Sequence, residues 1–320
     1  MKKHKLHIGT ILIIGICTVC FIFKNEVIDL AVTHFYDGYG VTVIENNEYA
    51  NNFDFKLIQL TDDFKVKNEQ DILNTIYTVL NSGVDTFTFY CPKEYTDCRK
   101  HLKKISNDQT LLSLINNMVS PYNSYKKLYI TTNNFGKAKI EVDKLYTEND
   151  ITITGEKIDE ILKEVTRDNM SDVDKIKAYH DYFAKNTVYD EERATMMEAQ
   201  SNEPFKYNSD KANGPLLEGF ALCSGYSDVM KIYLDRLNIP NYKISTDNHI
   251  WNLVYIDGTW LHLDLTWNNP IITDGKSFDD LPEKEKQDLT HKFFLIDTKT
   301  LLNFDSTSHT FNFDYYPEAK

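Results

Sequence analysis

Hydrophobic and polar residues follow strand-like and helix-like spacings in the first part of the chain. Residues 72–83 show apolar positions at helical spacing and end at a glycine, and residues 85–91 then alternate as a β-strand does. Two further alternating stretches flank Phe135-Gly136 and predict a β-hairpin. We therefore expect residues 25–150 to form a small mixed α/β domain that supports or spaces the part that follows.

From residue 151 onward the pattern becomes mainly helical. Residues 155–169 and 172–190 both carry apolar side chains three and four positions apart, which is typical of amphipathic helices. Residues 191–215 are polar and contain Asn, Ser, Asp and Gly-Pro, so they predict a long loop that serves as a lid or a binding segment. The second predicted domain is 151–320.

A third helix follows this loop, and a cysteine lies at its beginning. Its apolar stripe consists of Val229, Met230, Tyr233, Leu234 and Leu237. Pro240 ends the helix, and projecting the stripe back by one turn places Cys223 at or just before the first turn. The exposed N–H groups and the positive end of the helix dipole favour a thiolate there. Ser224 and Gly225 are small enough to leave room for an approaching group. A buried structural cysteine is the alternative interpretation.

Residues 248–270 read NHIWNLVYIDGTWLHLDLTWNNP and predict a second hairpin. Asp257-Gly258 favours a two-residue type I′ turn, which places Ile256 opposite Thr259. Counting back from this turn assigns every side chain to a face. One face is aliphatic, with Ile250, Val254, Ile256, Leu261, Leu263 and Leu265. The other is aromatic and polar, with His249, Trp251, Leu253, Tyr255, Trp260, His262, Asp264 and Thr266.

In this register His249 and Asp264 are diagonal neighbours on the same face. Diagonal pairs lie about 7–8 Å apart at the backbone, within reach of an imidazole and a carboxylate. We expect Asp264 to hold Nδ1–H of His249 and to leave Nε2 free for proton transfer. Two alternatives remain open, namely a hairpin whose polar face meets water and a metal cluster of His249, His262 and Asp264.

The N-terminus differs from the rest of the chain. Lys2, Lys3 and Lys5 precede residues 6–23, a stretch without formal charge whose length is at the short end of what crosses a bilayer as a helix. The positive cluster before this stretch predicts that residues 25–320 lie outside the cytoplasm. We expect residues 1–24 to be a single-pass membrane anchor, with a cleaved signal peptide and a secreted product as the alternative.

Composition narrows the classes of function. The chain of 320 residues is 42% hydrophobic and carries a formal net charge of −13, so it has material for a packed core and no basic footprint for nucleic acid. In an oxidising compartment Cys91 and Cys98 could close a short disulfide loop, which would leave Cys223 as the odd thiol. A zinc site formed by Cys91, Cys98 and His101 matches no standard ligand spacing.

Residues 172–317 resemble the transglutaminase-like domain, a branch of the papain-like cysteine acyl-transfer fold. The resemblance is carried by HDYFAKNTVYD, by LLEGFALCSGYSDVM, by the hairpin and by HKFFLIDTKTL with the later SHTFNFDYYP. It implies an α+β fold in which a helix bearing the cysteine packs on an antiparallel sheet bearing the histidine and the aspartate. The small α/β domain and the transmembrane helix would precede this core.

The resemblance also implies roles for individual residues. Cys223 in C-x-G-Y-S would be the nucleophile, His249 in H-x-W-N the base and Asp264 in D-x-T-W the orienting carboxylate. The candidate residues of the substrate cleft are Trp251, Trp260 and Tyr226. The expected chemistry is hydrolysis, deamidation or amine transfer at amides of a protein, a peptide or a cell-wall peptide, and it requires no metal and no organic cofactor. The alternative is a membrane-tethered binding or scaffold protein that retains the fold without turnover.

Overall fold

The structure is a computed structural model, and it describes residues 22–35, 43–46, 55–61, 64–269 and 282–320. Residues 6–21 of the predicted membrane segment lie outside these ranges. Within them, every helix is too short or too polar to cross a bilayer. The chain divides into two compact units. The first extends to Gln109 and includes Lys127–Asp143, and the second comprises Thr110–Lys126 and Lys144–Lys320.

The first unit combines helices with short antiparallel sheets. Its elements are α1 (Lys24–Phe35), β1 (Val43–Asn46), β2 (Lys56–Ile58), α2 (Glu69–Asn81), β3 (Thr86–Tyr90), α3 (Cys98–Asn107), β4 (Tyr125–Thr132) and β5 (Lys137–Lys144). The strand order β3-β5-β4 includes the predicted hairpin around Gly136, whose φ of +87° suits glycine. Cys91 and Cys98 are joined by a disulfide, so their sulfurs are not available as zinc thiolates.

The second unit is an α+β assembly. Its elements are α4 (Gln109–Met118), α5 (Glu148–Val165), α6 (Asp172–Asn186), β6 (Val188–Tyr189), α7 (Glu191–Glu198), β7 (Phe220–Ala221), α8 (Cys223–Arg236), β8 (Asn241–Ser245), β9 (Ile250–Ile256), β10 (Thr259–Leu263), α9 (Glu283–Thr290), β11 (Phe294–Ile296) and α10 (Thr298–Phe304). Four strands form an antiparallel sheet in the order β11-β10-β9-β8. Helix α8 packs on β8 and β9 of this sheet, the arrangement that the resemblance implied.

Helix α5 begins earlier than its apolar spacing indicates. The hydroxyl of Thr147 accepts from the N–H of Asp150, and the Asp150 carboxylate accepts from the N–H of Thr147, which completes a capping box. The first turns contain several β-branched residues of low helix propensity, so the capping signal outweighs propensity here. The whole of α5 lies in the second unit.

The predicted loop at residues 191–215 contains regular structure. Residues Glu191–Glu198 form α7, which is capped by the Asp190 carboxylate accepting from the N–H of Arg193. A π-helical turn covers Gly214–Glu218. Most side chains of α7 are polar, so the spacing of apolar residues does not predict this helix. The prediction of a continuous loop is therefore wrong.

Candidate active site

Cys223 is the first residue of α8, as predicted from the apolar stripe. Leu222 before it is extended, with φ −87° and ψ 173°, so the helix begins abruptly at the cysteine. The first N–H groups of a helix lack intrahelical partners and form the positive end of its dipole. The Cys223 thiol is free and half-buried. It therefore lies where a developing negative charge is stabilised and where another group can reach it.

The space beside Gly225 is filled by backbone of this protein, whereas the sequence predicted that an approaching group would enter it. A Cβ atom on Gly225 would lie 2.3 Å from the backbone oxygen of Ser209, so the missing side chain admits the chain rather than a substrate. The same Ser209 oxygen accepts from the N–H of Leu222 at 2.7 Å, and the Ser209 hydroxyl donates to Asp190. The segment around Ser209 thus fixes the start of α8, and with it the position of Cys223.

Replacing Gly225 with alanine should destabilise the second unit. The new methyl group collides with a backbone oxygen, and overpacking of this kind costs about 1–3 kcal/mol. Thermal unfolding of the purified protein measures the effect. Ser224→Ala in the same turn is the matched control, for which we expect a change within about 0.5 kcal/mol. Equal melting temperatures for Gly225→Ala and the wild type would contradict the close approach.

The hairpin of β9 and β10 has the predicted register. Ile256 lies opposite Thr259, and the pairing continues without a shift to Asn252 opposite Leu263. The aliphatic face packs into the core beneath α8 through Val254, Ile256, Leu263 and Leu265. The opposite face carries the polar side chains, so Asp264, just beyond β10, and His249, just before β9, extend toward the same side.

His249 and Asp264 are in direct contact. His249 Nε2 lies 2.6 Å from Asp264 Oδ2, and both side chains are buried. The predicted contact is thus present, but the nitrogen is the opposite one, because the carboxylate holds Nε2 instead of Nδ1. Cys223 lies close enough to the same imidazole to raise its pKa. The two ring nitrogens are chemically equivalent for this purpose, so the exchange leaves the order thiol, imidazole, carboxylate unchanged.

The environment of His249 favours its charged form. Burial lowers the pKa of His249, but the Asp264 carboxylate and hydrogen bonds to Asp264 and Cys223 outweigh burial and raise the pKa from 6.5 to about 10. An imidazolium adjacent to a sulfur stabilises thiolate. His249 is therefore a cationic ring that lies near the sulfur of Cys223.

Asp264 is held by a turn that follows β10. Its Oδ1 accepts from the N–H of Trp267 at 3.1 Å, and its own N–H donates to the oxygen of Phe293 at 3.0 Å. Burial raises the pKa of Asp264, but the charge and hydrogen bond of His249 and a hydrogen bond from His309 outweigh it and hold the pKa well below its usual range. Asp264 is therefore an ionised carboxylate in a fixed orientation.

The alternative cluster of His249, His262 and Asp264 is not formed. His262 Nδ1 accepts from Trp251 Nε1–H at 3.1 Å, and its Nε2 lies 3.0 Å from the Thr298 hydroxyl. Because an indole nitrogen only donates, the proton of His262 is on Nε2 and the ring is neutral. Burial, followed by the charge of His309, lowers the pKa of His262 to about 3.

The three predicted cleft residues are all buried. Trp251 is 1% exposed and stacks on His249 at 5.5 Å between ring centroids, so it supports the imidazole from behind. Tyr226 is fully buried in the core under α8. Trp260 pairs with Tyr255, about 20 Å along the strand from His249, and it stacks on Tyr242. The face was correctly assigned, but position along the strand separates Trp260 from the site.

Trp267 and Tyr189 are the aromatic residues beside the site that sequence reasoning missed. Trp267 is 41% exposed, and its ring lies 6.1 Å from that of His249. Tyr189 is half-buried, and burial and the charge of Cys223 raise its pKa. Trp267 follows Asp264 in the D-x-T-W motif, so the motif itself was the available signal. Tyr189 lies near Cys223 because β6 pairs with β7, directly before α8.

His309 is a second histidine at the carboxylate, also missed from the sequence. Its Nε2 lies 2.8 Å from Asp264 Oδ2, the oxygen that His249 contacts. Forty-five residues separate His309 from Asp264, and no spacing rule connects them. Only the return of the chain after α10 brings this side chain into the site.

The donor atoms of His249, Asp264 and His309 lie within 4.8 Å of one another, close enough to surround a metal ion. Both imidazoles, however, direct Nε2 at one shared oxygen, Asp264 Oδ2. An acceptor-only carboxylate requires a proton on each of these nitrogens, and those protons occupy the lone pairs that a metal would use. The three side chains therefore fit a hydrogen-bonded network.

A second group, formed by His180, Asp181 and His291, has similar spacing. The oxygen of the Asn268 side chain accepts from the N–H of Phe293, so its amide nitrogen donates to His180 Nε2. The proton of His180 is therefore on Nδ1, which donates to Asp181. His291 Nε2 also contacts Asp181, at 2.6 Å. This network fixes Asn268, in the turn that carries Asp264 and Trp267.

Known proteins resemble this chain only weakly. The sequence matches no protein-family model and no curated protein. Among solved structures, a crystal structure of a TGase is similar over 75% of this chain and 67% of the other chain, with 18% sequence identity and a TM-score of 0.35. At this level of likeness the neighbour's activity does not transfer, and the site's own geometry has to support any function.

Proposed function

We propose that the protein is a cysteine-dependent acyl-transfer enzyme of the transglutaminase-like type, with Cys223, His249 and Asp264 as its catalytic triad. One observation carries the proposal: the imidazole of His249 lies 2.6 Å from a buried carboxylate and interacts with a free thiol at a helix start, which raises the pKa of the imidazole. Nucleophile, base and orienting group thus occur in the order that covalent acyl transfer needs.

The first half of the reaction forms a thioester. The Cys223 thiolate attacks the carbonyl carbon of an amide, and the negative charge moves to the carbonyl oxygen. The backbone N–H of Cys223, the first of α8, has no acceptor within its own helix and would donate to that oxygen. The C–N bond then breaks, and the proton of His249 passes to the leaving amine. The products are an acyl-enzyme and a free amine or ammonia.

The second half regenerates the thiol. Neutral His249 removes a proton from water or from an acceptor amine, which attacks the thioester carbonyl. The C–S bond breaks and the thiolate–imidazolium pair is restored. Trp267, exposed beside His249, is placed to contact the bound acyl group or the acceptor. Protein, peptide or cell-wall peptide amides are the substrates we propose.

We further propose that the enzyme acts outside the cytoplasm, anchored through residues 6–23. Two features support this location. The charge distribution around the apolar segment favours an external C-terminal part, and the Cys91–Cys98 disulfide is typical of an oxidising compartment. Protease accessibility in intact cells tests the proposal, because the C-terminal part should be digested without lysis.

Mass spectrometry of the intact protein after incubation with amide-based acyl donors tests the chemistry. We expect a thioester adduct that maps to the Cys223 peptide and that disappears when hydroxylamine or an acceptor amine is added. Glutamine donors, short peptides and cell-wall peptides form the donor panel. If no donor acylates Cys223, the acyl-transfer proposal fails and a non-catalytic binding protein becomes the better description.

A further inference from the structure

His309 is fully buried between two carboxylates. Its Nε2 lies 2.8 Å from Asp264 Oδ2, and its Nδ1 lies 2.8 Å from Asp305 Oδ2. Asp305 is itself fixed, because it accepts from the N–H groups of Ser308 and Thr307. The imidazole is thus bonded at both nitrogens by groups with fixed positions, and it has no freedom to exchange one partner for another.

These contacts determine the charge of the ring. A neutral imidazole has one donor and one acceptor nitrogen, whereas an imidazolium has two donors. Against burial, the charge and hydrogen bond of His249 lower the pKa of Asp264, and hydrogen bonds that include those from the N–H groups of Ser308 and Thr307 lower that of Asp305, so both carboxylates are ionised and only accept. His309 must therefore donate from both nitrogens, which makes it a buried cation.

Aromatic rings enclose this cation. The ring of Phe293 stacks on His309 at 5.4 Å with an interplanar angle of 15°, and the rings of Trp251 and Trp267 approach at 4.9 Å and 5.1 Å. Aromatic faces within about 6 Å attract a cation. The same tryptophans flank His249, whose ring centroid is 5.1 Å from that of His309. One aromatic shell therefore surrounds both imidazoles.

We propose that His309 is a positioning residue that donates to two carboxylates: it shares Asp264 Oδ2 with His249, orients that carboxylate, and from its place between Asp264 and Asp305 sets the pH range in which Cys223 reacts. The inference rests on the proposed acyl-transfer function. His309 does not touch the reacting atoms and acts through Asp264 and through its charge.

The direction of the effect follows from the charged groups around His309. These are Asp264 after β10, Asp305 after α10, His249 before β9 and the neutral His262 on β10. A fixed positive charge disfavours a proton on His249 and favours a thiolate at Cys223. Removing it should therefore shift both limbs of the pH profile to higher pH, by on the order of one unit.

The charge of His309 is measurable without turnover. In the full-length Cys223→Ala protein labelled with ¹⁵N-histidine, we expect both ring nitrogens of His309 to carry protons at pH 7.5. Asp305→Asn supplies an amide donor to Nδ1, so His309 should become a neutral tautomer with its proton on Nε2. Asp314→Asn, an exposed carboxylate in the same segment, is the control and should leave the signal unchanged. A neutral His309 in the parent protein would overturn the proposal.

The effect on the site is measured by iodoacetamide alkylation of Cys223 across pH, followed by peptide mass spectrometry. In His309→Gln, we expect the rate profile to move up by about one pH unit relative to the wild type. An unchanged profile in the folded variant, or a shift to lower pH, would overturn the proposal. A failure of the acyl-transfer assays removes the proposed function without altering the charge of His309, so the two failures are distinguishable.

Discussion

Replacing Cys223 with alanine should abolish acyl transfer while leaving the fold intact. Without the sulfur no thioester forms, and the activity of His249 and Asp264 toward bound amide is expected to be at least about 10⁴-fold lower. The structural cost is small, because Cys223 is half-buried at a helix start and alanine has a higher helix propensity. The two effects are therefore expected to separate cleanly.

The comparison requires turnover and thermal unfolding on the same preparations. Cys223→Ser is the matched variant, since it keeps size and polarity and replaces only the nucleophilic atom. We expect both variants to melt within a few degrees of the wild type and to yield no adduct with any amide donor. If Cys223→Ala turned over substrate as fast as the wild type, the reaction would take place in another part of the protein.

Replacing Asp264 with asparagine should lower kcat by about 10³–10⁴-fold, the range typical for loss of an orienting carboxylate. The native Oδ2 accepts from both His249 and His309, and Oδ1 accepts from the N–H of Trp267. An amide with its oxygen in the position of Oδ2 sets its NH₂ group against the N–H of Trp267, and it carries no negative charge for the two imidazoles. His309 also loses one of its counterions. Breaking a buried pair of this kind destabilises a protein by about 3–5 kcal/mol.

The same substitution should change the pH dependence in a defined direction. Burial lowers the pKa of His249 and only its partners raise it to about 10, so without the carboxylate the pKa falls toward or below 6.5. His249 then loses its proton at lower pH, so the alkaline limb of the activity profile shifts to lower pH. Folding stability follows the same sign, because the wild-type contribution from His249 is complete below pH 6.5 and is lost as pH rises to about 10.

Steady-state kinetics across pH, with circular dichroism as the control for folding, measure both consequences. Asp257→Asn in the hairpin turn is a matched substitution at an exposed site of the same hairpin, and it should leave the profile unchanged. An Asp264→Asn protein that folds and retains the wild-type alkaline limb would show that Asp264 does not control the proton on His249.

Local sequence signals located the core of the site because they are short-range. The Asp257-Gly258 turn fixes the register of two strands, and strand periodicity then decides which face each side chain takes. The contact of His249 with Asp264 follows from these two rules. The start of α8 at Cys223 follows in the same way from helical periodicity, which is also a local property.

The contributions of the remaining residues depended on long-range packing. Trp260 lies on the predicted face of the hairpin but at the end far from His249. Trp267 lies in the turn after β10, beside His249. The sequence predicted open space beside Gly225, but the Ser209 backbone occupies that space. Neither outcome is encoded in spacing, because each depends on where a separate segment is folded against the site.

By itself the sequence determined the two local elements that carry thiol, imidazole and carboxylate, since periodicity and turn chemistry act over a few residues. The tertiary structure alone decided which nitrogen of His249 meets Asp264 and that His309 joins them from beyond α10. Ring orientation and the convergence of distant segments are set by packing around a buried charge. That packing exists only once the whole second unit has folded.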